Sequence, residues 1–161
     1  MNAVNEDILF GVEEEEIPQE EHGSGSREHL IFLIDDLKLG VDAEYVVEIL
    51  NNCSITYLPM MPEYIRGIFN MRGQIIPVMD IRLRLGKPVM EDHTLLIVLN
   101  YNGTQVGILV DAVDQMISIP KEMILPFPAQ NAQRLVSGMC TITDGSGTMM
   151  VLDCEQLVHH E

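Results

Sequence analysis

Tryptophan is missing from this chain of 161 residues, and the other aromatics are scarce, four Tyr and four Phe. Basic side chains are scarce too: nine Lys and Arg stand against 25 Asp and Glu, for a formal charge of −16. A nucleic acid needs cations for its phosphates and aromatic faces for its bases, so nucleic acid is excluded as a partner, as is an anionic membrane surface. The three cysteines, Cys53, Cys140 and Cys154, have no metal-ligand spacing. Their odd count, with no signal peptide recognisable at the N-terminus, reads as reduced thiols in the cytoplasm. The longest apolar run, Thr94 to Leu99, is strand-sized, which excludes a membrane-inserted helix. His22, His159 and His160 lie at the chain ends, and His29 and His93 have no Ser, Cys or Asp placed by a motif to act with them. The pairs Asp35-Asp36 and Glu91-Asp92 read as turns, without the spaced oxygens of a calcium loop. Neither catalysis nor a metal or other cofactor has residues to carry it.

What is present is apolar bulk and unevenly placed charge. Apolar residues make up 47% of the chain, enough for one domain or two small subdomains with a shared core. Residues 1–28 hold nine acids and one base, so −8 of the −16 sits in a short N-terminal stretch. That stretch ends in Gly23-Ser24-Gly25-Ser26 and reads as a disordered acidic tail and linker, with one apolar island at Ile8-Leu9-Phe10. Residues 29–161 read as the folded domain. Its basic residues cluster at Arg66, Arg72, Arg82, Arg84 and Lys87; all but Arg72 read as a solvated charged face.

The run from Gly67 to Gly86 is the most informative. It reads as a strand, a tight Arg72-Gly73 turn, a second strand from Gln74 to Met79, and a short helix opening at Asp80 as N-cap. Helical spacing turns Leu83 inward and Arg82 and Arg84 to solvent. Elsewhere the pattern predicts strands at Leu30 to Ile34, Leu37 to Glu48 (a long strand that bends) and Ile55 to Leu58, with a helical turn over Glu63 to Arg66.

The chain also repeats itself. Laying Gly40 on Gly107 carries Val46 to Val113 and Glu48 to Gln115, and Gly138 to Asp153 echoes Gly67 to Asp80, with a second helix from Cys154 to His159. Each copy is about five short strands plus a helix, a length at which a sheet closes on itself and hides its edges. The expected fold is therefore mainly β: a single domain of two small, interleaved five-stranded barrels with short helices and a shared core, roughly residues 29–90 and 91–161. Glu48 and Arg72 occur in one copy alone, which marks them as functional rather than architectural.

The stretch Asn70-Met71-Arg72-Gly73-Gln74-Ile75-Ile76-Pro77-Val78-Met79-Asp80-Ile81-Arg82 closely resembles the signature of the CheW-type coupling proteins of bacterial chemotaxis. Val46-Val47-Glu48-Ile49, Leu58-Pro59, Pro62 to Gly67 and Val106 to Asp111 fit the same family in order and spacing. The resemblance implies SH3-like barrels, no enzymatic activity, and a cytoplasmic scaffold that joins the tip of methyl-accepting chemoreceptors to the regulatory domain of a CheA-type histidine kinase at membrane-associated receptor arrays. An adaptor of the same fold in pilus motility or another receptor–kinase system would carry the same signature.

The resemblance gives Arg72, in its Asn70-x-Arg72-Gly73 turn, a role in coupling, with Glu48 as an ion-pair partner that orients it. It places Val46, Ile68, Leu95 and Val113 near an apolar cleft that takes a receptor helix; each is equally an ordinary core position. Gly67 and Gly107 either permit a bend or leave room for a close partner. Phe127, framed by Pro126 and Pro128, is either an anchor for a partner or a lid on the second barrel.

Overall fold

Short apolar runs broken by Asx and Gly turns make strands of most of the chain. The structure is a computed structural model and describes residues 25–88, 95–126, 135–142, 145 and 147–159. Among these the strands are β1 (Ser26–Ile34), β2 (Leu37–Asp42), β3 (Val46–Leu50), β4 (Ile65–Met71), β5 (Gln74–Met79), β6 (Leu95–Tyr101), β7 (Thr104–Val110), β8 (Ala112–Pro120), β9 (Leu125–Pro126), β10 (Val136–Thr141) and β11 (Thr148–Leu152). One helix, α1 (Cys154–Val158), follows Asp153, whose side chain accepts from Gln156 N as expected of an N-cap. The strands form two sheets, ordered β9-β10-β11-β2-β1-β8 and β3-β6-β7-β5-β4.

The register bears out the repeat residue by residue. Gly40 stands opposite Val151 across the parallel pair β2–β11, and Gly107 opposite Val78 across the parallel pair β5–β7. Val113 pairs with Phe32 where Val46 pairs with Leu99, and Gln115 with Ile31 where Glu48 pairs with Val98. The copies have exchanged their first hairpins: β1–β2 lies in the sheet of the second copy, and β6–β7 in the sheet of the first. The sheets therefore do not divide near residue 90.

The exchange corrects the expectation of one bent strand from Leu37 to Glu48. The chain turns at Asp42, whose carboxylate accepts from Glu44 N at 2.9 Å, makes the 3₁₀ turn Ala43–Tyr45, and enters the other sheet as β3. Ile55 to Leu58 is reduced to a bridge between Thr56 and Ile68, and the helical turn expected over Glu63 to Arg66 gives way to β4 at Ile65. Ser26, Arg27 and Glu28, assigned to the tail, are the start of β1 and pair with β8. The rest of the expected tail, residues 1–24, lies outside the described residues.

Three apolar layers result. Leu30, Phe32, Ile34, Leu39 and Val41 of one sheet meet Ile97, Leu99, Val106, Ile108 and Val110 of the other in the shared core. The opposite face of each sheet curls around its own interior, with Ile31, Met149 and Val151 in one and Val98, Ile76 and Val78 in the other. Alternation along β1 and β6 serves both layers, so both strands are buried on two sides.

The basic cluster departs from expectation. Arg82, expected in solvent, is 1% exposed, with its guanidinium paired to the fully buried carboxylate of Asp80 and to Asp111. Instead of a helix there is the 3₁₀ turn Leu83–Leu85, and Asp80 accepts from Arg82 N at 3.0 Å. That tight loop brings the Arg82 side chain back over Asp80. Arg66 joins from β4, 3.3 Å from Asp80, and Asp111 accepts from the Asp35 backbone N–H in the β1–β2 turn. Arg84 lies over the Tyr64 ring at 5.3 Å, and Lys87 reaches Asp36 at 2.6 Å. The Leu83 side chain lies outside what the structure describes.

Burial also orders the thiols. Cys154 sits in the shared core, where loss of hydration, with help from Asp153 and Asp42, pushes its pKa up to about 12. At pH 8 roughly one such thiol in ten thousand is ionised, and only the thiolate alkylates. Burial raises Cys53 and Cys140 as well, but Cys53 is only half-buried. Iodoacetamide at pH 8, followed by peptide mapping, should modify Cys53 first and leave Cys154 untouched until urea unfolds the chain. Equal rates at the two would show that the core opens far more often than its packing implies.

Candidate functional site

The β4–β5 hairpin ends in a two-residue turn in which both central residues have positive φ, Arg72 at 52° and Gly73 at 89°. Such turns match the twist of the flanking strands and favour Asn-Gly. The β6–β7 hairpin obeys that rule, with Asn102 at 53° and Gly103 at 88°. Both turns are locked alike: Asn70 Oδ1 accepts from Gly73 N and Asn100 Oδ1 from Gly103 N, each at 2.9 Å. Asn70 is thus a turn-forming residue. Arg72 is the anomaly, a long cation held where the β6–β7 hairpin, with the same turn geometry, has Asn.

Its side chain is 71% exposed and reaches Glu48 on β3 through two hydrogen bonds of 2.9 Å each. Arg72 NH1 and NH2 each donate to one carboxylate oxygen, the fork geometry that fixes a guanidinium in direction as well as distance. β3 and β4 are the two outer strands of the five-stranded sheet, so the pair spans its open seam. The Arg72 hydrogen bond holds the Glu48 carboxyl below the ordinary glutamate range, and Glu48 raises the Arg72 pKa in turn. A lowered carboxyl pKa keeps the pair charged at neutral pH; the pair is lost only as the pH falls through that lowered value.

The other candidates separate. Val46, Leu95 and Val113 are partly buried and pack against the margin of the shared core. A bulge between Val46 and Glu48 turns Val46 inward, and the outward apolar residues of β3 are Val47 and Ile49, 44% and 41% exposed. Alternation read from sequence cannot see a bulge, which is why these two were missed. Ile68 is not among them: it sits on β4, bridged to Thr56. Gly67 is filled from within the chain, because a Cβ there would lie 2.2 Å from Thr56 O. Gly107 is buried in β7 against the Leu96 side chain. Phe127 lies outside the described residues. No group of three or more His, Cys, Asp or Glu is arranged to hold a metal among the described residues.

Residues 28–161 match the family described as the CheW-like domain. The chain belongs to the CheW-like family. Among CheW-like relatives, the chemotaxis protein CheW of Klebsiella aerogenes is 31% identical over 140 residues, which cover 84% of this chain and 83% of that one. The probable chemotaxis protein CheW of Rhizobium etli is 37% identical over 108 residues, 65% of this chain and 68% of the relative. In three dimensions the chain is similar to the scaffolding protein TtCheW of Thermoanaerobacter tengcongensis, with a TM-score of 0.71 and 30% identity over 79% of this chain and 88% of that one. The likeness drawn from the Asn70 to Arg82 signature therefore holds: this is a CheW-type chemotaxis adaptor with the two-subdomain β fold.

Proposed function

We propose that this adaptor couples the cytoplasmic tip of methyl-accepting chemoreceptors to the regulatory domain of a CheA-type histidine kinase, in the cytoplasm at receptor arrays, and carries out no chemistry itself. The observation that carries the reading is Arg72. A non-glycine residue at positive φ is disfavoured, and such outliers concentrate where function holds them in place. The β6–β7 hairpin, which makes the same turn, supplies the comparison within one molecule: its Asn102 suits that turn without strain. The arginine is kept for what its guanidinium meets, an acidic face of a partner, with Glu48 setting the direction of approach. Val47 and Ile49 add apolar contact on the same strand, and Val46, Leu95 and Val113 line the margin where a receptor helix would lie.

Arg72→Asn separates fold from coupling. Asparagine relaxes the turn, so the melting temperature should stay within about 2 °C of wild type or rise, since surface changes have small effects on stability. Kinase and receptor affinity should fall at least about tenfold, the scale seen when one partner of a desolvated charge pair is removed. Glu48→Gln should give a milder loss, and Arg134→Ala, outside the signature, none. In a reconstituted mixture of receptor and kinase, wild type should raise kinase autophosphorylation and Arg72→Asn should fail to. A folded Arg72→Asn that binds and activates like wild type would place the contact elsewhere.

A further inference from the structure

Asn-Gly occurs once in the sequence, at Asn102-Gly103, and both residues are exposed in the β6–β7 turn. That pair is chemically fragile, because glycine has no side chain to keep its backbone nitrogen away from the amide carbon of the asparagine before it. The internal repeat shows what position 102 can hold. The offset that lays Gly40 on Gly107 also lays Asp35-Asp36 on Asn102-Gly103 and Leu33 on Asn100. Asp35 has φ 60° and Asn102 has φ 53°, so an aspartate suits this turn. The first copy has neither the fragile pair nor anything like Asn100. In the second, Asn100 Oδ1 accepts from Gly103 N at 2.9 Å. The glycine is otherwise open, since a Cβ there would meet no atom within 4 Å.

We propose that Asn102 is a site of spontaneous covalent modification whose rate Asn100 sets. Gly103 N loses its proton to a solvent base and attacks Cγ of Asn102. The new C–N bond closes a cyclic imide as the Cγ–Nδ2 bond breaks, and Nδ2 takes up a proton and leaves as ammonia. Water then opens the imide at either carbonyl, giving aspartate or isoaspartate, so that water is consumed, ammonia is released and nothing is oxidised or reduced. The hydrogen bond to Asn100 Oδ1 must break before Gly103 N is free to attack, so the closed turn holds the reaction back. The two products differ. Aspartate adds a charge and, as Asp35 shows, keeps the turn. Isoaspartate routes the main chain through the side-chain methylene, and a two-residue turn that sets Tyr101 opposite Thr104 cannot absorb the added length. The change falls beside the Arg72-Gly73 turn, because Gln74 lines the same surface hollow as Asn100 and Gly103.

Ageing the full-length chain at pH 8, followed by peptide mapping that separates aspartyl from isoaspartyl forms, tests this. Both forms should accumulate at Asn102 and not at Asn51, Asn52 or Asn70, each of which precedes a residue with a side chain. Unfolding in urea should speed the change at least about tenfold, and Asn100→Ala about fivefold, the weight of one hydrogen bond carried over to a rate. Asn100→Asp keeps an acceptor for Gly103 N and should age no faster than wild type. A folded Asn100→Ala chain that ages at the wild-type rate overturns the proposal. So does a wild-type chain that ages as fast folded as in urea, or that keeps Asn102 intact in both. Should Asn100→Ala not fold, the comparison of native with urea-unfolded wild type decides alone.

Discussion

Asp80→Ala should lower the melting temperature by about 10 °C, the largest loss from any single side chain in the signature. Asp80 is fully buried and accepts from Arg82 N at 3.0 Å, with the Arg82 guanidinium at 3.4 Å and Arg66 at 3.3 Å. Removing the carboxylate leaves a guanidinium that is 1% exposed with Asp111 alone to offset it. Breaking a buried pair by deleting one partner typically costs about 3–5 kcal/mol, and each kcal/mol moves the midpoint by about 2–4 °C in a domain of this size. The pair itself adds far less, because two charges first had to leave water. The double variant Asp80→Ala with Arg82→Met should therefore recover much of the loss, and the cycle of four melting curves isolates the coupling. A single variant that melts within about 2 °C of wild type would mean that water reaches Arg82 and the cluster is not buried in solution.

Gly67→Ala comes next. Its Cβ would lie 2.2 Å from Thr56 O and 2.8 Å from Thr56 C, both backbone atoms, and Gly67 has φ +155°. Backbone cannot step aside cheaply here, because Thr56 and Ile68 exchange hydrogen bonds of 2.8 and 2.9 Å. Overpacking costs about 1–3 kcal/mol and a disfavoured backbone angle about as much again. The expected fall is about 10 °C. Gly73→Ala is the matched comparison: its φ is +89° but nothing lies within 4 Å of the added methyl, so only the backbone cost remains. Thermal melts should rank Gly67→Ala well below Gly73→Ala. Equal melts would show that residues 55–58 are loosely held and that Gly67 serves a partner after all.

These two positions mark where the sequence was legible and where it was not. Turns, caps and repeats are local or self-similar, so the Arg72-Gly73 hairpin, the Asp153 cap and the correspondence of Gly40 with Gly107 could be read directly. The Glu48–Arg72 pair was also within reach, since only one copy carries either residue. Which hairpins the interleaved copies exchange was not, because likeness between copies states which residues correspond but never which sheet they join. Arg82 was misread for a related reason. Its partner Asp111 follows β7, and helical spacing applied to a 3₁₀ turn rotates the side chain to the wrong side. At Gly67 a backbone bend and clearance for a partner stayed equally open, because the segment that crowds it, at Thr56, has no periodicity to betray it.

The hairpin exchange also dictates when the chain can fold as it is made. β1 must wait for β8, whose Pro120 pairs with Ser26, and β2 for β11, where Val151 meets Gly40 after 111 further residues. At a synthesis rate of about 5–20 residues per second, that delay is roughly 5–20 s. Until β8 is made the first hairpin presents Ile31, Phe32 and Ile34 with neither flanking strand in place, and until β11 is made one edge stays open. A nascent chain of this topology has no early resting point: its N-terminal half is a sticky ribbon until the last strand has left the ribosome.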